Sequence, residues 1–306
     1  MKMGVNEHHS VGTHGSLYVV ATPIGNLEDI TLRALRVLRE ADAIACEDTR
    51  RTQKLLTHYE IKKRLVSYHE HNEMTRAAEL VSEMREGASV ALVTDAGTPA
   101  ISDPGLHLVR ACVAAGIPVI TIPGASALAT AIAGAGLPSE SVWFLGFLPS
   151  RPGERRKLLR ALSKIQFAES VAAPTLVFYE APHRISKTIE DCAAIFGARQ
   201  AVIARELTKI HEEFLRGNLN ELAASIGEKP IRGEITLLIA PADRSTVSDA
   251  VLTGGDRVQV TESLAQRVAR LELESGISRK DALKQAAREL GIPRREAYKR
   301  LLSEKE

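Results

Sequence analysis

Aromatic residues are scarce in this chain of 306 residues, at 4%, and that excludes an extensive base-stacking platform. Cysteine is scarcer still. Cys46, Cys112 and Cys192 stand far apart and form no CxxC pair, so the expectation is reduced core thiols in a cytoplasmic protein. No apolar run approaches the length of a membrane span. Neither sign of charge dominates. Forty basic and 38 acidic residues leave a formal net charge of +2, which neither demands nor excludes a nucleic-acid partner. Residues 1–15 lack the apolar centre of a signal peptide. They read as a disordered leader in preference to a metal-binding tail built on His8, His9 and His14.

Several familiar sites are missing too. No GxGxxG follows the first predicted strand; Gly134-Ala-Gly136 sits behind a helix. There is no GxxxxGK[ST] phosphate loop, no HExxH or zinc-like His spacing, and no Gly-x-Ser-x-Gly elbow. Nicotinamide, ATPase, metalloprotease and serine hydrolase readings all lose ground, and no metal is expected.

What is present is a regular alternation. Hydrophobic residues make up 44% and charged residues 25%, enough for a sizeable core. Short apolar runs predict strands at 17–21, 43–46, 65–67, 89–93, 118–122, 142–145, 175–178, 201–204, 213–216 and 234–240. Helical spacing is predicted at 31–40 (with Asp29 as N-cap), 52–58, 74–85, 106–114, 127–135, 154–167, 185–196 and 219–226. Strand–helix alternation predicts an α/β fold with mostly parallel sheet. The length suits two α/β domains, 16–123 and 124–241, a linker at 242–256 and a helical tail at 257–306. Residues 278–300 hold eight Lys or Arg against three acids, a net +5. With a Gly-containing break near 291 they predict a basic helix-turn-helix.

The centre of the chain is Asp95-Ala-Gly-Thr-Pro-Ala-Ile-Ser-Asp-Pro-Gly105. It is a turn between a predicted strand and a helix, the place where open α/β sheets bind ligands. Gly97 permits close backbone approach, and Pro99 and Pro104 stiffen the path. Polar residues also follow other strand ends: Glu47-Asp-Thr-Arg50, His69-Glu-His71, Glu180 with His183 and Arg184, and Arg205-Glu206 with Lys209. Each alone reads equally well as a surface pair or a solvated loop. Their convergence on one face of a parallel sheet favours a site.

Seven motifs occur in order: Thr22-Pro-Ile-Gly-Asn26, Glu47-Asp-Thr-Arg50, Asp95-Ala-Gly-Thr-Pro99, Ser102-Asp-Pro-Gly105, Pro123-Gly-Ala-Ser126, Tyr179-Glu-Ala-Pro-His-Arg184 and Ala204-Arg-Glu-Leu-Thr-Lys209. Over roughly residues 16–241 the chain resembles the tetrapyrrole methylase superfamily. The resemblance implies two α/β domains, homodimers, and S-adenosylmethionine in the cleft between the domains. It implies cofactor contacts at Pro23, Asp95, Gly97, Thr98, Pro99, Ile101, Ser126, Ala127, Tyr179, Glu180 and Thr236. Macrocycle methylases of the superfamily usually open on a Gly-x-Gly-Pro-Gly-Asp-like turn, whereas here it reads Ala21-Thr-Pro-Ile-Gly25. That departure weakens a macrocycle substrate, which stays the alternative. The resemblance implies instead 2′-O-methylation of a cytidine in the decoding region of small-subunit rRNA.

A hydroxyl acceptor needs help in losing its proton, for which Asp48, His69, Glu180 and Glu206 are candidates. Arg50, His183, Arg184, Arg205 and Lys209 would hold RNA near the reacting ribose. In the tail, Arg279, Lys280, Arg294, Arg295, Lys299 and Arg300 would contact phosphates.

Overall fold

A computed structural model describes residues 15–167, 172–228, 231–242, Val268, Leu271 and 278–289. The chain divides into two compact units, residues 1–247 and 248–306.

The first unit opens with five strands: β1 (Leu17–Val20), β2 (Ala43–Cys46), β3 (Arg64–Ser67), β4 (Val90–Leu92) and β5 (Val119–Ile122). They form one sheet in the order β3-β2-β4-β1-β5, and every pairing is parallel. Helices α1 (Leu32–Glu40), α2 (Thr49–His58), α3 (Glu73–Arg85) and α4 (Leu106–Ala114) connect the strands. The two-residue period of a strand decides which side chain faces which helix layer. Leu17, Val19, Val90 and Leu92 pack with Leu80, Met84 and Leu108 of α3 and α4. Their neighbours Val20, Ala91 and Val93 pack with Val37, Leu38 and Leu56 of α1 and α2. With helices on both faces the three inner strands β1, β2 and β4 are apolar throughout, while the edge strands β3 and β5 admit Arg64, Ser67 and Thr121.

The second sheet contains β6 (Val142–Phe147), β7 (Thr175–Glu180), β8 (Gln200–Arg205), β9 (Glu213–Asn218) and β10 (Ile235–Ile239). Its order is β6-β7-β10-β8-β9. The expectation of mostly parallel sheet fails here. Only β6 and β7 pair in parallel, while β10 runs antiparallel to both β7 and β8, and β8 to β9. Helices α6 (Pro152–Ser163), α7 (Ile185–Phe196) and α8 (Leu219–Glu228) accompany this sheet. One face buries Phe178, Ile203 and Leu237 against Leu159, Ile189 and Leu222 of these helices. The other buries Val177, Val202, Ala204 and Leu238 beneath α5 (Ala127–Ala135) and Ile24. Helix α5 lies close to β9: a Cβ on Gly134 would stand 2.4 Å from the Phe214 ring. Arg216 of β9 donates to the carbonyls of Gly134 and Ala135, serving acceptors that the helix end leaves without partners.

Helix starts differ from expectation for local reasons. Thr31, not Asp29, caps α1, accepting a hydrogen bond from the Ala34 amide at 3.1 Å. Asp29 ends a separate 3-10 turn, Leu27–Asp29, capped by Asn26. Helix α2 starts at Thr49, three residues before the predicted Thr52, because Asp48 caps it. Strand β7 runs through Tyr179 and Glu180, which were expected to follow it.

Cys46, Cys112 and Cys192 are buried and free, as expected of core thiols. Burial pushes the Cys112 thiol up to about 11 and the Cys192 thiol up to about 12. No helix among the described residues is long and apolar enough to cross a membrane.

In the second unit, Val268, Leu271, Ala282, Leu283, Ala286 and Ala287 form a small core. Ser278 accepts from the Asp281 amide at the start of α9 (Arg279–Glu289). The rest of the predicted helix-turn-helix, with Arg294, Arg295, Lys299 and Arg300, lies outside the described residues, as do His8, His9 and His14.

Candidate active site

Two loops of the first sheet are tied together at their strand ends. The Thr22 amide donates to the Gly97 carbonyl at 2.8 Å, and the Gly97 amide returns a bond to Thr22 at 3.1 Å. The Thr22 hydroxyl donates to the Thr94 carbonyl at 3.1 Å. From Gly97 to Gly105 the backbone is left-handed four times in nine residues, at Gly97, Ala100, Ser102 and Gly105. Two of these are not glycine, so each carries a conformational cost of about 1–3 kcal/mol that the surrounding structure must offset. Such strain is typical of ligand clamps.

The loop forms one wall of a cavity of about 370 Å³, within the range of small-molecule sites. Ser126 and Ala127, where α5 begins, form a second wall. The second sheet supplies the rest: Phe147 from β6, Tyr179 and Glu180 from β7, Leu207 after β8, and Ile235 and Thr236 from β10. Because β10 is antiparallel, its first residue Ile235 pairs with the last residues of both β7 and β8, Glu180 and Arg205. The strand ends therefore converge even though the sheet is mixed. Tyr179 packs at 4.9 Å from the Phe144 ring and 5.6 Å from that of Phe147, and burial pushes its hydroxyl above the ordinary range.

A second cavity, of about 320 Å³, shares Ile24, Arg51, Asp95, Ala96 and Glu234 with the first. Asp95 stands on this common wall. One oxygen accepts from the Asp48 amide at 3.2 Å, and the other meets the Arg51 guanidinium at 3.1 Å.

Of the residues nominated for the cofactor, Asp95, Gly97, Thr98, Ile101, Ser126, Ala127, Tyr179, Glu180 and Thr236 line the first cavity. Pro23 lines the second. Pro99 is buried and lines neither.

The four proton acceptors nominated from the sequence fare less evenly. Glu180 lines the cavity, but its side chain is 0% exposed and fully engaged. It meets Arg184 at 3.0 Å and accepts from the Thr188 hydroxyl at 2.6 Å and the Ala181 amide at 2.8 Å. Asp48, His69 and Glu206 lie outside the linings of both cavities. Asp48 caps α2 through the Arg50 amide and grips the Arg50 side chain. These bonds hold its carboxyl down to about 2, which makes it a weak base. The His69 amide donates to Asn72, and its ring stands edge-on to His71. Glu206 accepts from Lys209 at 2.8 Å and from the Glu234 amide at 3.1 Å, and the Lys209 bond lowers its carboxyl.

The nominated cations are similarly committed. Arg50 pairs with Asp48, Arg184 with Glu180, Arg205 with Glu213 and Lys209 with Glu206 and Glu234. Lys209 lines the second cavity and His183 lines neither. Arg279 and Lys280 are exposed on α9, in the other unit.

Several lining residues carry no nomination from the sequence, Asp103 and Phe147 among them. Asp103 lines the first cavity, and burial pushes its carboxyl up, with Asp95 adding to the rise and the Thr94 hydroxyl opposing it. It sat inside a quoted motif, and only tertiary burial separates it from its neighbours. Glu47 is raised as well, by burial first and then by Asp95 and Asp103. Phe147 was missed because its strand was ended at Leu145. Among the described residues no cluster of His, Cys, Asp and Glu is placed to hold a metal ion.

Paired α/β sheets whose strand ends and strained turns enclose a cavity are the architecture of a small-molecule-binding α/β protein, and a profile of the Tetrapyrrole (Corrin/Porphyrin) Methylases matches residues 16–223. The chain belongs to that family. Its curated relatives are more particular. It is 45% identical over 289 residues, 93% of each chain, to "Ribosomal RNA small subunit methyltransferase I" of Halalkalibacterium halodurans. The protein so named from Thermotoga maritima is 47% identical over 226 residues, 98% of its length but only 74% of this chain. Among solved structures, uroporphyrin-III C-methyltransferase from Thermus thermophilus, complexed with S-adenosylhomocysteine, superposes with a TM-score of 0.51 at 19% identity. That match covers 74% of this chain and 97% of the other. At that identity it speaks for the fold alone.

Proposed function

We propose that the chain is an S-adenosylmethionine-dependent methyltransferase acting on small-subunit rRNA, at the ribose 2′-hydroxyl of a cytidine in the decoding region. The observation that carries this reading is the cavity of about 370 Å³ at the joined strand ends, in a chain 45% identical to a relative named for that activity. The same relatives speak against a macrocycle substrate. In this reading residues 16–123 and 124–241 act as two domains gripping cofactor and RNA, and 242–256 links them to a basic appendage at 257–306. The working form is a cytoplasmic homodimer, and the substrate is rRNA within the small subunit.

The lining suits the cofactor. Tyr179, Phe147, Ile101 and Leu207 offer apolar area for an adenine and exclude water, while Asp95 and Asp103 offer carboxylates for a cationic or hydroxylated ligand. When bound, S-adenosylmethionine would supply an electrophilic methyl group to the ribose oxygen, with the sulfur taking the electron pair and the oxygen giving up its proton. The protein's task would be alignment: the Thr22–Gly97 clamp fixes one wall and α5 another, which reduces the ordering left for the moment of reaction. The hydroxyl proton goes to Asp95 or Asp103, or to a water they hold. These two carboxylates face the cavity, whereas Asp48 and Glu206 do not.

The test is mass spectrometry of small-subunit rRNA nucleosides from cells with and without the gene, together with methyl transfer by the purified protein to isolated subunits. Loss of one 2′-O-methylcytidine, restored by the protein, is expected. An unchanged nucleoside profile and no transfer would overturn the reading.

A further inference from the structure

Of the nominated residues only Pro23, Asp95 and Lys209 line the second cavity. Its walls are more polar than those of the first cavity, with apolar and polar groups in near-equal share. Three cations line it: Arg51, Lys54 and Lys209. Two are already matched, Arg51 by Asp95 at 3.1 Å and Lys209 by Glu206 and Glu234. Lys54 has no carboxylate partner among the described residues, and it is exposed. Arg51 and Lys54 stand three residues apart on α2, so they share one face of the helix. The common wall of Ile24, Arg51, Asp95 and Ala96 places this cavity directly beside the first.

We propose that the second cavity receives the acceptor nucleotide of the RNA, with its backbone phosphate against Lys54 and Arg51 and its ribose toward the wall shared with the first cavity. The proposal deepens the methyltransferase reading and rests on it. An anionic group is the ligand that complements an unmatched ammonium beside a guanidinium. A phosphate can engage Arg51 without displacing Asp95, because a guanidinium has five N–H donors in a planar fork. The ribose of the same nucleotide then lies next to Asp95, at the boundary where a methyl group would cross. The phosphate-holding role falls on Lys54 with Arg51, and not on Arg50, Arg184 and Arg205, which line neither cavity.

The test uses the full chain and small-subunit RNA, with Lys54→Ala, Lys54→Glu and Lys54→Arg beside the parent. Methyl-transfer kinetics, RNA affinity by fluorescence anisotropy at several salt concentrations, and S-adenosylhomocysteine affinity by calorimetry are measured for each. Lys54→Ala is expected to raise KM for RNA roughly tenfold with kcat little changed, and to reduce the salt slope by about one contact. Lys54→Glu should weaken RNA binding further, Lys54→Arg should restore it, and affinity for S-adenosylhomocysteine should stay at the parent's value. RNA affinity and salt slope unchanged in both Lys54→Ala and Lys54→Glu would overturn the subsite while leaving the methyltransferase reading intact. Lys54-dependent RNA binding without any methyl transfer by the parent would do the reverse.

Discussion

At the scale of single residues, Glu180 and Asp103 divide the work that carboxylates do around the cavity. Glu180 is enclosed and satisfied by Arg184, Thr188 and the Ala181 amide. Removing it leaves the Arg184 guanidinium, itself only 19% exposed, without its partner, at a cost of about 3–5 kcal/mol. Glu180→Ala should therefore show a large loss of stability in urea titration. Glu180→Gln should lose less and, once folded, keep most of its turnover; abolished kcat with full stability would instead make Glu180 a proton acceptor. Asp103 behaves oppositely. Burial raises its carboxyl above the ordinary 3.8, so its ionised form at neutral pH is a destabilising one. Below 3.8 both folded and unfolded chains hold the proton and the penalty disappears. Asp103→Asn is expected to melt above the parent at pH 7, with the gain shrinking as pH falls through the raised carboxyl range; a pH-independent difference would contradict this. Asp48 has the other sign, contributing above 3.8 and losing its contribution toward about 2, although solvent screening keeps that contribution small. None of this could be read from the sequence, because Asp48, Asp95 and Asp103 are chemically identical until burial and hydrogen-bond partners separate them.

At the scale of elements, caps explain where sequence periodicity stopped short. Hydrophobic spacing located α4, α5 and α7 to the residue, since their apolar stripes end where the helices do. It misplaced the starts of α1 and α2, because a cap is chosen by which side chain reaches an amide, and Asp29 and Thr31 are both good candidates on composition. Thr31→Ala should cost about 1 kcal/mol, seen as a lower urea midpoint at constant m-value, while Asp29→Ala should leave α1 unaffected. Sheet direction was the larger miss. A strand that is buried on both faces reads the same whether its neighbours run with it or against it. β10 therefore looked like one more parallel strand. The site survived this miss because reversing β10 brings its first residue, instead of its last, to the edge where β7 and β8 end.

At the scale of the whole molecule, positive charge gathers toward the C-terminal end of the sequence. Residues 278–300 carry a net +5, against +2 for the entire chain. The Thermotoga maritima relative is 98% covered by an alignment of 226 residues, so roughly a quarter of this chain has no counterpart there. Deleting everything after residue 245 should weaken rRNA binding and flatten its dependence on salt, since fewer counterions are released. Affinity for S-adenosylhomocysteine should be unchanged, because every residue lining the first cavity precedes that point. Equal salt slopes for the full and shortened chains would assign the second unit to dimerisation or stability instead.

The strand order also has a consequence for the chain as it leaves the ribosome. All five strands of the first sheet lie within residues 17–122, so its pairing partners are available early. The second sheet has β10, its last strand in sequence, at its centre. Until residues 235–239 emerge, β7 and β8 each present an open edge toward a gap that nothing else in the order fills. At about 5–20 residues per second, that half-built sheet persists for seconds, with edges that template pairing with other chains. A nascent chain stalled just before Ile235 is thus expected to keep the edges of β7 and β8 open for as long as the stall lasts.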